Sequence, residues 1–529
     1  MINNNKVRLR FAPSPTGFLH IGGFRTALFD FLITKSLGGT LFLRVEDTDQ
    51  KREVEGAAAR FIEILSWAGI KFDEGPGIGG NFGPYTQSER LDIYKKYADE
   101  LLAKGDAYLC FCTEERLMKM RADLDARKLP PRYDRACRDL SKDEILRKID
   151  AGEKFVIRHK MPLTGEIIVK DELRGELKFK FEDLDDYVLV KSDGVPTYQF
   201  ASVVDDHLME TSHVVRGDEW LPSLPKNISL YKSFGWDAPK FIHLPLVLDK
   251  DGGKLSKRKG NVAVEDFRAK GYLPEALLNF NALLGWSPYT KASPFAKATE
   301  DKSADAASGQ SNSEIFTIDE AIKVFDYHNI GVSPAIFNTD KLDYLNGIYI
   351  RKKTLPELLI LCKPYLSENI ALTLNAFKKT DEFLLKVINL ERERLTVLSE
   401  IAPHTKFFFV DDLVYDPALL VWKKSDAAGA KSCLLNLFGF LENVSEEDWN
   451  TKKLEELIVA DIKSFGQAQD REKGSGSTSL TTGGLGDYLW PMRVALTGEK
   501  ASPSPFEMAD CLGKAEALDK IKKGIEKLS

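Results

Sequence analysis

Arg10-Phe11-Ala12-Pro13-Ser14-Pro15-Thr16-Gly17-Phe18-Leu19-His20-Ile21-Gly22-Gly23 is the stretch whose reading sets the fold. Val7 to Phe11 alternates in the manner of a strand, and Ala12 to Gly17 breaks it. Two prolines stiffen the exit, and Gly17 permits a turn that other residues resist. Apolar residues at Leu28, Phe29, Leu32 and Ile33 then predict a helix from about His20 to Leu37, closed by Gly38-Gly39. A helix N-terminus offers unpaired N–H groups and the positive end of its dipole, a combination that suits phosphate. His20 can donate to a phosphate oxygen, and Gly22 and Gly23 let a nucleotide approach the backbone. Taken singly, His20-x-Gly22 reads as a polar helix cap. At a strand-to-helix exit the full stretch reads as nucleotide binding.

Working outward, Thr40 to Val45 predicts a second strand and about Glu53 to Ala68 an amphipathic helix. The order strand–helix–strand–helix begins a parallel α/β sheet. Residues from about Gly83 to Tyr198 have a mixed texture with short strands such as Lys154–Arg158, and read as an insertion. Strand signals return at Val203-Val204, His213–Arg216 and Phe241–Leu248, completing the sheet. Beyond Lys259 the pattern is mostly helical, with 3.6-residue periodicity in Leu273–Leu284 and Leu355–Leu366. Lys291–Ser313 and Gly474–Gly484 are low in aliphatic bulk and predict disordered surface insertions. The expected fold is α/β: a Rossmann-type parallel-sheet domain with an α+β insertion, followed by an all-α C-terminal region.

The chain has 529 residues, enough for three to four domains. Its 74 Lys and Arg against 80 Asp and Glu leave a net charge of −6. Composition excludes collagen-like, wholly disordered and disulfide-scaffold proteins. No apolar run reaches the roughly 18–20 residues of a membrane span. The opening Met1-Ile2-Asn3-Asn4-Asn5-Lys6 has neither a signal core nor a transit pattern, and six cysteines suit a reducing compartment, so a cytoplasmic setting is expected. Mild acidity by itself speaks against a nucleic-acid partner, although bulk charge says little about local patches.

Lys254-Leu255-Ser256-Lys257-Arg258 follows the flexible turn Asp251-Gly252-Gly253 after a predicted strand. An isolated basic cluster is usually a solvated loop. Here its order after the first motif, with half a sheet between, would bring both to one crevice at the strand carboxyl ends. The two stretches together resemble the HIGH and KMSKS signatures of class I aminoacyl-tRNA synthetases, and Ala12-Pro13-Ser14-Pro15-Thr16-Gly17 resembles the glutamyl branch. Gly23 replaces the second histidine of the general signature, which puts more of the phosphate work on His20 and the lysine loop.

The resemblance implies catalytic roles for His20, Lys254, Ser256 and Lys257, and ATP contacts from Thr16, Gly17, His20, Gly22, Gly23, Glu219 and Lys257. It implies a glutamate pocket of Arg10, Ala12, Ser14, Glu46, Tyr198, Ser202 and Arg216. The residues themselves support this: Arg10 and Arg216 end core strands, where an unpaired guanidinium would be expensive, and either can hold a carboxylate with two parallel hydrogen bonds. Which arginine takes which carboxylate stays open. Glu46 can take an α-ammonium, although with Arg44 it also reads as a structural ion pair.

Cys110-Phe111-Cys112 and Cys137 can supply three thiolates to tetrahedral zinc. Some members of the glutamyl branch carry a Cys-x-Cys…Cys-x-His knuckle in this insertion. Asp139 stands at the histidine position, and Tyr133 is a second candidate for the fourth ligand. Further resemblance runs through Phe337–Leu342 and Pro491–Gly498, the latter similar to a helical anticodon-binding region.

The resemblance thus implies four parts: a catalytic domain split over 1–83 and 199–250, an acceptor-binding insertion over 84–198, a stem-contact region over 251–333 carrying the lysine loop and the insertion 291–313, and an anticodon-binding region over 334–529. The implied activity is ATP- and Mg²⁺-dependent ligation of L-glutamate to tRNA(Glu) through a glutamyl-adenylate, by a monomer. Two alternatives stand beside it: an enzyme that also glutamylates tRNA(Gln), and a non-catalytic RNA-binding paralogue. Intact His20 and Lys257 speak against the second.

Overall fold

The computed structural model describes residues 6–49, 54, 56–253, 255, 262–288, 314–423, 425–472 and 484–528. Lys254, Ser256, Lys257 and the segment 291–313 therefore lie outside the described residues, as does all of 474–484 but Gly484. The chain divides into two units, Met1–Ala269 with Pro274–Leu342, and Lys270–Leu273 with Asp343–Ser529.

In the first unit the order begins β1 (Arg8–Phe11), α1 (Ile21–Ser36), β2 (Thr40–Leu43), α2 (Ala57–Trp67), α3 (Leu91–Lys104) and β3 (Ala107–Cys110). There follow α4 (Glu114–Ala126), α5 (Lys142–Asp150), β4 (Val156–His159), β5 (Glu166–Asp171), β6 (Gly175–Lys180) and β7 (Val188–Val190). Then come α6 (Tyr198–Leu208), β8 (His213–Gly217), α7 (Leu224–Phe234), β9 (Lys240–Leu244) and β10 (Val247–Leu248). The unit continues with α8 (Val264–Ala269), α9 (Pro274–Leu283), α10 (Ile318–Val324) and β11 (Ala335–Ile336).

Six strands form one sheet in the order β2-β1-β8-β9-β5-β6, parallel except for the hairpin β5–β6. β1 is buried on both faces, so its alternation does not separate core from solvent. Leu9 and Phe11 supply apolar contacts, while Arg8 and Arg10 enter the interior only because Glu74 and Asp206 pair with them at 2.9 Å. Helix α1 is apolar nearly all round and is accordingly buried along most of its length.

Two expectations for the sheet need correction. Val203-Val204 lies within α6, which starts after Pro196-Thr197 and is buried continuously from Phe200 to Asp206. Two β-branched residues mimic a strand, but the helix start and tertiary burial prevail. The strand expected over Phe241–Leu248 is split at Pro245, which has no N–H to give the ladder. Residues 166–180, within the stretch read as an insertion, form the far edge of the main sheet. They share one core cluster with it, including Tyr94, Leu101, Ile167, Phe200, Val214 and Phe241.

The second unit is helical: α11 (Thr339–Lys352, from Asp343 onward), α12 (Leu355–Leu372), α13 (Asp381–Glu391), α14 (Ile401–Thr405), α15 (Ala427–Glu442), α16 (Thr451–Glu472), α17 (Leu485–Thr497), α18 (Pro505–Leu512) and α19 (Lys514–Lys527). Thr354 with Glu357 and Ser504 with Glu507 form capping boxes that start α12 and α18. Among the described residues, no helix is long and apolar enough to cross a membrane.

Candidate active site

β1 has β2 on one side and β8 on the other, so the sheet changes direction of winding beside Phe11. A cavity of about 630 Å³ opens there at the carboxyl ends of β1, β8 and β9. It is lined by Arg10, Ala12, Ser14, Thr16, His20, Gly22, Gly23, Glu46, Tyr198, Arg216 and Glu219. The structure thus brings together most of the residues that the sequence reading singled out. Gly17 does not line the cavity; it makes the turn, at a φ of +127°. Ser202 lies one turn beyond Tyr198 on α6, buried, outside the lining, with Oγ lacking a hydrogen-bond partner among the described residues.

His20 is both cap and cavity wall. Its Nδ1 accepts the Gly22 N–H at 3.0 Å, which leaves the ring neutral with its proton on Nε2. The residues after the lysine loop are stitched to the same signature: Ile21 N–H donates to Val262 O at 2.8 Å and Val264 N–H to Leu19 O at 2.9 Å. Before the loop, Leu255 lines the cavity and donates its N–H to Val247 O at 3.4 Å. Both described flanks of the lysine loop are therefore tied to the cavity's rim.

The two arginines differ in a way that side-chain type alone does not reveal. Arg10 Nε donates to Asp206 Oδ1 at 2.9 Å, and Arg44 Nη1 donates to the same oxygen at 2.8 Å. Those two cations hold the Asp206 carboxyl below the usual carboxylate range against the opposing effect of burial. Arg216 instead donates from Nε to the imidazole of His243, its Nη2 is buried without a hydrogen-bond partner, and burial lowers its pKa. One arginine arrives already neutralised; the other does not.

Glu46 accepts from Arg44 Nη2 at 3.0 Å, so the ion pair read from the sequence coexists with a place on the cavity wall. Burial pushes the Glu46 carboxyl up to about 7 despite that arginine. Glu219 follows β8, and its carboxylate folds back against Gly217. Tyr198 packs on Trp220 with ring centroids 4.6 Å apart. Trp220, Asp206 and His243 were missed by sequence reasoning. Trp220 directly follows Glu219 and was within reach of it; the other two carry no local signal.

A second cluster lies away from this cavity. The sulfurs of Cys110, Cys112 and Cys137 all lie within 4.8 Å of one another. The Tyr133 hydroxyl lies 3.2 Å from Cys110 Sγ and 3.4 Å from Cys112 Sγ. Asp139 is exposed and is not gathered with them. The donor set fits a tetrahedral thiolate-rich site, with Tyr133 rather than Asp139 beside it.

Comparison with known proteins agrees with this geometry. The family of class I tRNA synthetases (E and Q), catalytic domain, matches residues 6–344, and the anticodon binding domain family matches 357–469 and 479–525. The glutamate–tRNA ligase of Clostridium botulinum (strain Hall) is 43% identical over 530 residues, covering 99% of both chains. That of Clostridium tetani is 43% identical over 532 residues, covering 100% of this chain and 99% of its own. A crystal structure of a glutamate tRNA ligase from Elizabethkingia meningosepticum, in complex with its amino acid, superposes with a TM-score of 0.82 at 36% identity, over 99% of this chain and 100% of its own. With the signature cavity, both matched domains and relatives aligned from end to end, the chain belongs to the glutamyl-tRNA synthetases, class I enzymes that ligate glutamate to tRNA.

Proposed function

We propose that this chain, a cytoplasmic monomer, activates L-glutamate with ATP and Mg²⁺ and transfers it to tRNA(Glu), through a glutamyl-adenylate formed in the cavity beside β1. The observation that carries this reading is a buried arginine without a carboxylate partner in the same cavity as a helix N-terminus capped by His20. Glutamate's α-carboxylate attacks the α-phosphorus and pyrophosphate leaves; a ribose hydroxyl of the terminal adenosine then attacks the activated carbonyl. Thr16, Gly17, Gly22, Gly23 and Glu219 would shape the nucleotide side, with His20 donating from Nε2 to phosphate. Lys254, Ser256 and Lys257 would meet the growing negative charge, an effect worth roughly 10²–10³ in rate per donor. Arg10, Ala12, Ser14, Tyr198, Ser202 and Arg216 would form the amino-acid side, and Glu46 would take the α-ammonium. Residues 84–198 and 251–333 would meet the acceptor arm and stem, and those from 334 onward the anticodon.

The test is pyrophosphate release and glutamyl-tRNA formation, with tRNA(Glu) and tRNA(Gln) supplied separately. Glutamate- and tRNA-dependent turnover is expected with tRNA(Glu), and a loss of about 10²–10³ in Lys257→Ala. Undiminished turnover in that variant would overturn the role of Lys257. Glutamylation of tRNA(Gln) would overturn the narrower specificity.

The thiol cluster would hold a structural zinc through Cys110, Cys112, Cys137 and Tyr133, tying β3 to the segment that carries Cys137. Metal analysis of purified protein is expected to find roughly one zinc per chain, lost in Cys112→Ser. Loss in Tyr133→Phe would support the hydroxyl as fourth ligand, whereas loss only in Asp139→Asn would refute it.

A further inference from the structure

Arg216 is held from behind by two groups that do not line the cavity. Its Nε donates to His243 Nε2 at 3.0 Å, and His243 Nδ1 donates to Asp171 Oδ2 at 2.8 Å. Both His243 and Asp171 are fully buried. A guanidinium can only donate, so His243 Nε2 must be an acceptor, and the imidazole is neutral with its proton on Nδ1. Burial lowers the His243 pKa, in keeping with that state. Asp171 is itself fixed: Oδ2 also accepts the His243 backbone N–H at 3.1 Å, and Oδ1 accepts the N–H groups of Leu173 and Arg174 at 3.1 and 2.9 Å.

We propose that Asp171 and His243 are positioning residues for glutamate binding, a relay that aims Arg216 into the cavity while leaving its charge for the substrate. This rests on the reading that Arg216 holds a glutamate carboxylate. Asp206 against Arg10 shows the alternative arrangement, in which a carboxylate both orients and neutralises the arginine. A neutral imidazole orients without neutralising, so the charge of Arg216 is left for a carboxylate from solution. The carboxylate that sets the imidazole tautomer ends β5, so the inserted hairpin helps to build the amino-acid site.

The test is steady-state aminoacylation by the full chain with saturating tRNA. His243→Ala leaves a buried Arg216 Nε–H unsatisfied and its side chain held only by Phe241 and Tyr198, and is expected to raise KM for glutamate roughly tenfold to a hundredfold. KM for ATP should stay within about twofold. His243→Gln, whose amide oxygen can accept from Arg216, is expected to recover most of the loss. Asp171→Asn should give a smaller rise in the same constant. A merely structural role would move both KM values together, or lower the active fraction alone, and would overturn the proposal. So would an unchanged KM for glutamate in His243→Ala while Arg216→Ala raises it. An unchanged KM in Arg216→Ala itself would instead refute the reading of Arg216, and the relay would fall with it.

Discussion

Arg216→Ala is expected to lower kcat/KM for glutamate by about 30- to 4,000-fold, the equivalent of roughly 2–5 kcal/mol for truncating one side of a buried charge pair. KM for ATP should change little, since the loss is confined to the carboxylate. The size follows from the environment: the side chain is buried, its Nη2 has no hydrogen-bond partner, and its acceptor is an uncharged ring. The same environment fixes the sign of a second readout. No carboxylate lies within 4.0 Å of Arg216 among the described residues, so the free protein carries a buried cation at a desolvation cost. Alanine removes that cost, and the melting midpoint without glutamate should hold or rise. A variant that melts lower and binds glutamate normally would show that Arg216 serves the fold instead.

The parts of this site readable from sequence are those whose chemistry is local. Arg10 to Gly23 contains a strand exit, a turn glycine and a helix cap in consecutive residues, and each does locally what its type dictates. The arginines were recognisable as ligand candidates because a strand end buries them. Their partners were not recognisable, because the packing of α6 and the order of the strands decide them. Asp206 is 196 residues from Arg10, and Asp171 is 72 residues from His243. Nothing near either acid in the chain announces its role.

The misread elements have equally physical causes. Val203-Val204 follows strand composition, but Pro196-Thr197 starts a helix that the core accepts on several faces. Pro245 interrupts what reads as one apolar strand, and the interruption places Leu244 to Val247 along the cavity wall. At the thiol cluster the sequence offers Asp139, two residues past Cys137, and Tyr133 for the fourth place, and Asp139 is exposed. Tyr133, four residues before Cys137, is the side chain that turns inward. Net charge was a poor guide for a similar reason. A sum of −6 says nothing of where charges sit, whereas the matched tRNA synthetase catalytic and anticodon-binding domains span nearly the whole chain.

Asp206→Asn tests the neutralised half of the pocket, and its effect should fall on stability before it falls on kinetics. Asp206 accepts from both Arg10 and Arg44, and Arg44 is wholly buried. Asparagine keeps the volume and removes the charge, leaving Arg44 with Glu46 and Asp205 and taking from Arg10 the carboxylate it pairs with. Breaking a buried pair in this way costs on the order of 3–5 kcal/mol. In a unit of this size that corresponds to a fall of about 4–7 °C in the unfolding midpoint at pH 7. Asp99→Asn, which breaks the exposed pair with Lys95, should leave the unfolding midpoint essentially unchanged. The pH dependence has a definite sign. Asp206 titrates below the ordinary carboxylate value in the folded protein, so its stabilisation is complete above about pH 4–5 and disappears as pH falls through the folded value. The gap between wild type and Asp206→Asn should therefore narrow under acid conditions. A gap that is absent at neutral pH, or that widens on acidification, would mean that Asp206 does not hold these arginines as an anion.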